Sequence, residues 1–292
     1  MRKHFFVMAA MVLLAAAVSG CGTATVVRLG DRQKISLSRM VEEVKDVPVI
    51  FVGEIHDDPE HHELQEQVIR GIHDAGRPLA IGLEMFTARS QPELDAWIEG
   101  RVGDDRFAVL YERNWKEPLS LYAPIFRYAR ANRIPLVGIN VPRELIQEVM
   151  RGGVEGLPAE VRGQLPPDVS CEVTGEYLAF MKRVNAGHSA SRNDFTHFCE
   201  AMMLWNSLMA RNIAAYLRGH PGTVMVVLAG AGHARRKWGI PERLAGSEGG
   251  YDSRVILPEL SDIEGLTQGT GAEADYLVEP PGHPVRRFLL GE

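Results

Sequence analysis

Four side chains far apart in the sequence have the right types to act together: Glu54, His56, Glu84 and His233. Each follows directly on an apolar run. Gly53-Glu54-Ile55-His56-Asp57-Asp58 comes after Val47–Val52, Glu84-Met85-Phe86 after Leu79–Leu83, and Ala229-Gly230-Ala231-Gly232-His233 after Thr223–Leu228. Asn140 holds the same place after Ile134–Ile139. Two imidazoles and two carboxylates suit a divalent transition metal, with zinc, manganese or iron preferred over calcium because nitrogen is among the donors. Such a metal makes hydroxide from water near neutral pH, with a spare carboxylate as general base. Without a metal, Glu54 and His233 can still serve as an acid–base pair. His61 and His62, one turn further on, either back up that set or lie exposed. The spacing is not that of an HExxH helix, no GxSxG elbow occurs, and no GKS or GKT follows Gly230 and Gly232. Zincin, serine-hydrolase and P-loop chemistry are thereby set aside.

The elements that must bring these residues together are legible as an alternation. The four apolar, β-branched runs read as strands buried on both faces. Asp57 or Asp58 can cap the next helix, with Pro59 at its first position and Gly76 as its stop. Helices are expected over Gln91–Glu99, Asp104–Tyr111, Leu119–Asn132 and from Pro142 to Arg151. Strand alternating with helix means α/β: a mostly parallel sheet flanked by helices. Open sheets of that kind bind ligands at the carboxyl ends of their strands, where all four candidates stand. The alternation breaks at about 152–193, which reads as a helical cap inserted before the fourth main strand, with helix from Cys171 to about Asn185. A long helix follows from Asp194 to Arg218. Phe195, Phe198, Met202, Trp205, Met209, Ile213 and Tyr216 recur along it every three or four residues, marking a buried face. Ser253–Leu257 and Asp275–Val278 are candidate edge strands. The plan is a signal peptide over 1–20, a tether over 21–46 that leads into the body with room for a short strand and helix, and one α/β domain over 47–292.

The ends and the charge bound the setting. Arg2 and Lys3 precede an apolar run from Phe5 to Val18, shorter than the roughly 20 residues of a membrane-spanning helix and suited to a secretory leader. Val18-Ser19-Gly20-Cys21 looks like a lipobox, in which Cys21 receives a lipid and becomes the new N-terminus; several acyl chains anchor durably. Gly22, in place of an aspartate, favours the outer membrane, so the body is expected in the periplasm or at the cell surface. Without Arg2 and Lys3 the chain keeps 30 basic against 38 acidic residues. That balance excludes nucleic-acid binding, which needs a basic face. Hydrophobic content of 45% and charged content of 24% are those of a globular protein. In an oxidising compartment Cys171 and Cys199 either pair or remain as two buried thiols.

The residues also carry a resemblance. GEIHDDPEHHELQ (Gly53–Gln65), GLEMF (Gly82–Phe86), Asn114-Trp115, LYAPI (Leu121–Ile125), PLVGINVPREL (Pro135–Leu145) and AGAGH (Ala229–His233) resemble, in order, the ChaN-like haem-binding family, from about Val47 to Leu257. That family shares a superfamily with the Tiki proteins, which are metal-dependent proteases. The resemblance implies a haem-binding α/β domain with a helical cap, and it maps a Gly-x-x-His metal motif with a later Glu onto Gly53–His56 and Glu84. Members are commonly lipoproteins tied to iron acquisition, which agrees with the leader. The chain departs from the family at Met202 and Asn206, where a glutamine and an aspartate are usual, so no anionic role is carried over there.

Haem needs a flat apolar slot and an axial donor such as His, Tyr or Met. The cap and the start of the long helix offer Tyr177, His188 and His197 as cofactor-binding candidates; no CxxCH occurs, so covalent attachment is excluded. The expected function is a lipid-anchored haem binder in haem or iron acquisition at the cell envelope. Its expected partners are haem, the membrane through its anchor, and a haem receptor or a second copy of the chain. The alternative is a metal-dependent hydrolase, a peptidase or esterase, working with Glu54, His56, Glu84 and His233. A third class is a binding module whose cleft takes another small ligand or a protein.

Overall fold

The computed structural model describes residues 24–166, 169, 171, 192–236, 238–247, 249–258 and 273–279. Its strands are β1 (Thr25–Arg28), β2 (Gln33–Ser36), β3 (Val49–Glu54), β4 (Leu79–Thr87), β5 (Leu136–Asn140), β6 (Val224–Gly230), β7 (Ser253–Pro258) and β8 (Tyr276–Glu279). They form an eight-stranded sheet in the order β2-β1-β8-β7-β3-β6-β4-β5. From β8 to β5 neighbours run parallel, while β1 is antiparallel to both β8 and β2. The described helices are α1 (Leu37–Val44), α2 (Pro59–Asp74), α3 (Gln91–Ile98), α4 (Asp104–Asn114), α5 (Leu119–Ala131), α6 (Arg143–Gly152), α7 (Ala159–Arg162), α8 (Arg192–Gly219), α9 (Ala231–Ala234) and α10 (Ile240–Ala245).

Strand periodicity sorts the core into two layers. Ile50, Val52, Ile81, Leu83, Val226 and Leu228 point to one face, against Val68 and Ile69 of α2 and Tyr122 and Phe126 of α5. Their neighbours Val49, Phe51, Ala80, Met225 and Val227 point to the other, against Met209, Ile213 and Leu217 of α8 and Ile240 and Leu244 of α10. Each large aliphatic or aromatic side chain so buried is worth roughly 1.5–3 kcal/mol relative to exposure. The chain travels out along the sheet from β3 to β4 and β5 with helices on the first face. It returns through β6 to β7 with helices on the second. The loops leaving β3 and β6, which are hydrogen-bonded neighbours, therefore part to opposite faces and open a crevice at their carboxyl ends.

The α/β plan read from the sequence is what the structure has, with four differences. Residues 21–46, read as a tether with a short strand and helix, contribute two strands, β1 and β2, that join the main sheet from Thr25 onward, and then α1, which Ser36 caps by accepting from the Arg39 amide. The two candidate edge strands are interior, because β1 pairs with β8 and covers them. In α8 the large-residue stripe is fully buried at Met209 and Ile213 but only half-buried at Phe198, Met202, Trp205 and Tyr216. Ala201, Leu204, Asn206, Ala210 and Ala214 share the deepest positions. Finally, Cys171 and Cys199 are joined, with Cα atoms 5.8 Å apart, so the free-thiol alternative does not hold. Tyr177 and His188 in the cap, and the leader with Cys21, lie outside the described residues.

Candidate functional site

Glu54 ends β3 with its carboxylate turned inward and 2% of the residue exposed. Four donors converge on it. The Tyr122 hydroxyl of α5 gives Oε1 a hydrogen bond of 2.5 Å, and His56 Nδ1 lies 2.8 Å from the same oxygen. Gln65 Nε2 of α2 donates to Oε2 at 2.6 Å, and His62 Nδ1 stands 3.2 Å from it. Burial alone would push this carboxyl up, but the hydrogen bonds from His56, His62 and Tyr122 outweigh it and hold it at about 2. Burial likewise pulls His56 down, yet the hydrogen bond to Glu54 and the fields of Glu84, Glu54 and Glu117 carry it to about 8.

The helix start behind this arrangement is local chemistry. Asp58 accepts from the Glu60 amide at 2.9 Å and Pro59 takes the first helical position. That start fixes the next two imidazoles. His61 Nδ1 accepts from the Ile55 amide at 3.0 Å, and His62 Nε2 reaches the His56 carbonyl at 3.0 Å. Both rings are buried, so they back the cluster from within rather than lying exposed.

Glu84 comes from β4, whose pairing with β5 shifts register between Leu83 and Thr87. A bulge of this kind re-aims the side chains it contains. Gly138 makes it possible, since a Cβ there would lie 2.4 Å from the Thr87 carbonyl oxygen. Glu84 Oε2 accepts the Gly230 amide at 2.7 Å, and Oε1 lies 3.6 Å from His233 Nε2. His233 Nδ1 is 2.6 Å from Asn206 Oδ1, and Asn206 Nδ2 donates to the Trp238 carbonyl at 2.8 Å. The carbonyl dictates which end of the amide faces His233, so Nδ1 carries the ring proton and Nε2 keeps a lone pair. Burial, which outweighs the field of Glu84, pushes His233 down and keeps it neutral. His56 closes the group: a Cβ on Gly230 would lie 2.9 Å from His56 Cε1, 3.2 Å from its Nε2 and 3.7 Å from Glu84 Oε2.

Glu54, His56, Glu84 and His233 are thus one cluster at the crevice. Glu54 is its anchor rather than an open donor, because both of its oxygens are already taken. Among the described residues, no group of three His, Cys, Asp or Glu is arranged to hold a metal ion. Two tryptophans flank the imidazoles. Trp115 packs edge-on to His56 with ring centres 4.9 Å apart, and Trp205 stands 4.8 Å from His233 while donating to Asn140 Oδ1 at 2.6 Å.

Above the cluster opens a cleft of about 810 Å³, within the usual size of small-molecule sites. His56, Met85, Trp115, Asn140, Ile146 and Trp205 line it. Arg89, Lys116 and Arg143 stand on its rim with Glu112, Glu117 and Glu144, while Arg113 pairs with Glu93 at 2.7 Å. His197, a cofactor-binding candidate, is elsewhere. Its ring abuts Gly153, and its Nδ1 is buried without a hydrogen-bond partner among the described residues. Sequence reasoning missed Tyr122, Gln65, Trp115 and Trp205 as site residues. The signal for three of them was present, since Gln65, Trp115 and Tyr122 sit in the blocks GEIHDDPEHHELQ, Asn114-Trp115 and LYAPI.

A family model described as "Haem-binding uptake, Tiki superfamily, ChaN" matches residues 40–244. Among curated proteins the chain is similar to Protein RETICULATA-RELATED 5, chloroplastic, of Arabidopsis thaliana, at 22% identity over 272 residues. That match takes in 85% of this chain but 36% of that protein, so the chain spans about a third of its relative's length. Among solved structures it is similar to ChaN of Campylobacter jejuni, described with cofacial haem binding: TM-score 0.69 and 19% identity, covering 88% of this chain and 96% of that one. An erythromycin esterase mutant in an open conformation follows at TM-score 0.50 and 15% identity, covering 91% and 84%. At these identities the likeness is one of fold.

Proposed function

The chain belongs to the haem-binding uptake family of the Tiki superfamily that includes ChaN, and on that footing we propose that it takes haem into the cleft beside His56 and hands it on at the cell envelope. The observation that carries this reading is the cleft itself. Trp115, Trp205, Ile146 and Met150 give it the apolar walls that a flat macrocycle needs, and the imidazole of His56 opens into it. Arg89, Lys116 and Arg143, which have no ion-pair partner among the described residues, can meet carboxylates at its mouth. Tyr177 and His188, outside the described residues, remain candidates for an axial donor, whereas His197 does not line this cleft. Bound haem would supply an iron centre and a visible chromophore. Titration of the apo-protein with hemin tests this: a saturable Soret band is expected, and its absence would remove the reading.

The envelope setting is part of the proposal. Cys21 would carry the lipid, and a disulfide between Cys171 and Cys199 suits an oxidising compartment. Palmitate labelling that is lost in Cys21→Ser tests the anchor. A haem receptor or a second copy of the chain would take the haem onward. A second reading, hydrolysis, is favoured by the meeting of Glu84 and His233 beside His56. Acid–base work by these groups needs no metal. Zinc, manganese or iron analysis of the purified protein decides whether one takes part.

A further inference from the structure

The two rims of a parallel sheet are different places, and the chain enters the body at one of them. β1 runs antiparallel to β8, with Thr25 opposite Glu279 and Arg28 opposite Tyr276. β8, β7 and β3 run parallel to one another, so β1 begins beside the carboxyl ends of those strands. That is the rim at which Glu54 and Asn140 end their strands and over which the cleft opens. In the sheet β1 is three strands from β3, about 15 Å at the usual spacing. Three steps of twist turn the two strands by roughly 60–75°, which tilts their ends apart without sending them to opposite sides. Cys21 is four residues before Thr25. A lipid on its thiol would therefore enter the bilayer on the side of the cleft, away from the turns that precede β3, β4 and β6.

We propose that the carboxyl-end rim is the membrane-facing surface of the protein and that the cleft opens onto phospholipid headgroups. The surface fits that partner. Exposed Arg89, Lys116 and Arg143 stand at the mouth with Glu112 and Glu144, and phospholipids bring both signs, a phosphate and, in zwitterionic headgroups, an ammonium. Half-buried Trp115 and Trp205 line the same mouth, and indoles are favoured where water meets lipid. An apolar ligand dissolved in the bilayer then has a path into the cleft that avoids bulk water. The inference rests on the lipidation of Cys21 proposed above and is independent of which ligand the cleft takes.

The test uses the mature lipidated chain in vesicles of phosphatidylethanolamine and phosphatidylglycerol. With Cys21 acylated and Cys171 joined to Cys199, an added cysteine is the one reactive thiol and carries one fluorophore. Glu112→Cys and Gln147→Cys place it on the cleft rim, on α4 and α6 respectively. Arg218→Cys places it at the exposed end of α8 ahead of β6, on the opposite rim. The 6 residues of β3 set the rims about 20 Å apart. Lipids with a nitroxide on the headgroup quench at short range. They should remove most of the fluorescence at the first two positions and spare it at the third. The two rim labels sit on different helices, so a variant that does not fold leaves the other to decide. Equal quenching at all positions, or quenching at the Arg218 position alone, would overturn this inference and leave the anchor intact. A mature chain whose Cys21 carries no lipid by mass spectrometry would remove the anchor reading and this inference with it.

Discussion

The Tyr122 hydroxyl donates to Glu54 Oε1 at 2.5 Å across 68 positions of chain, fixing helix α5 to the carboxyl end of β3. Burial and the field of Glu54 raise the phenol well above its ordinary range, so it stays protonated and remains a donor at any working pH. A buried carboxylate with this partner cannot turn toward the cleft, which leaves His56 as the group that does.

Tyr122→Phe removes that donor while keeping the ring that packs against Phe126. A hydrogen bond to a charged group is worth about 1.5–3 kcal/mol, so urea unfolding should show a loss of that order. The Glu54 carboxyl should rise at the same time. A variant as stable as wild type would show that Gln65 and the imidazoles suffice.

Stability should respond to pH at both ends. The Glu54 carboxyl is lowered from 4.5 to about 2, so its contribution is present above 4.5 and is lost as pH falls from there through about 2. His56 is raised from 6.5 to about 8, so its contribution is full below 6.5 and is lost as pH rises through about 8. Denaturant midpoints measured from pH 2 to 9 should fall on both sides of that interval. Glu54→Gln should flatten both limbs, since it removes the acid and the partner of the imidazole.

Asn206→Asp replaces the amide oxygen facing His233 with a carboxylate. The His233 ring, now held neutral by burial, should titrate at a higher pH, read from its imidazole resonances. Asn206→Ala leaves Nδ1–H and the Trp238 carbonyl each short of a partner and should cost roughly 1–3 kcal/mol. An unchanged titration in the aspartate variant would mean that the side chain has turned away.

Reduction of the Cys171–Cys199 bridge should lower the thermal midpoint. A bridge of this span contributes about 2–4 kcal/mol. The paired serine variant should match the reduced wild type, and a midpoint indifferent to reductant would contradict the bridge.

The strand ends were legible because a run such as Val49-Ile50-Phe51-Val52 has one comfortable place, the middle of a parallel sheet, and the polar residue after it must emerge at the rim. Chain order alone therefore brought Glu54, Glu84 and His233 to one edge. The direction in which Glu54 points was not legible. It depends on Tyr122 and Gln65, which come from helices packed on the first face, and no periodicity says which donors a buried carboxylate recruits. The α8 stripe was legible at Met209 and Ile213, which are fully buried, and not at Trp205, which shares their periodicity but lines the cleft. The cysteine pairing depended on how residue 171 folds back on α8, which spacing does not encode. Gly230 offered only a weak GxG, and its use as clearance for the His56 ring becomes visible once β3 and β6 are seen to be neighbours.

The early start of β1 bears on reach. Thr25 is already hydrogen-bonded into the sheet beside β8 and β2, so under the proposed lipidation of Cys21 the leash would be four residue steps, at most about 14 Å when fully extended. A body held so close would skim the bilayer instead of swinging out from it. Cargo exchange would then be a lateral, two-dimensional encounter between neighbours on the same leaflet, governed by surface density and orientation more than by bulk concentration.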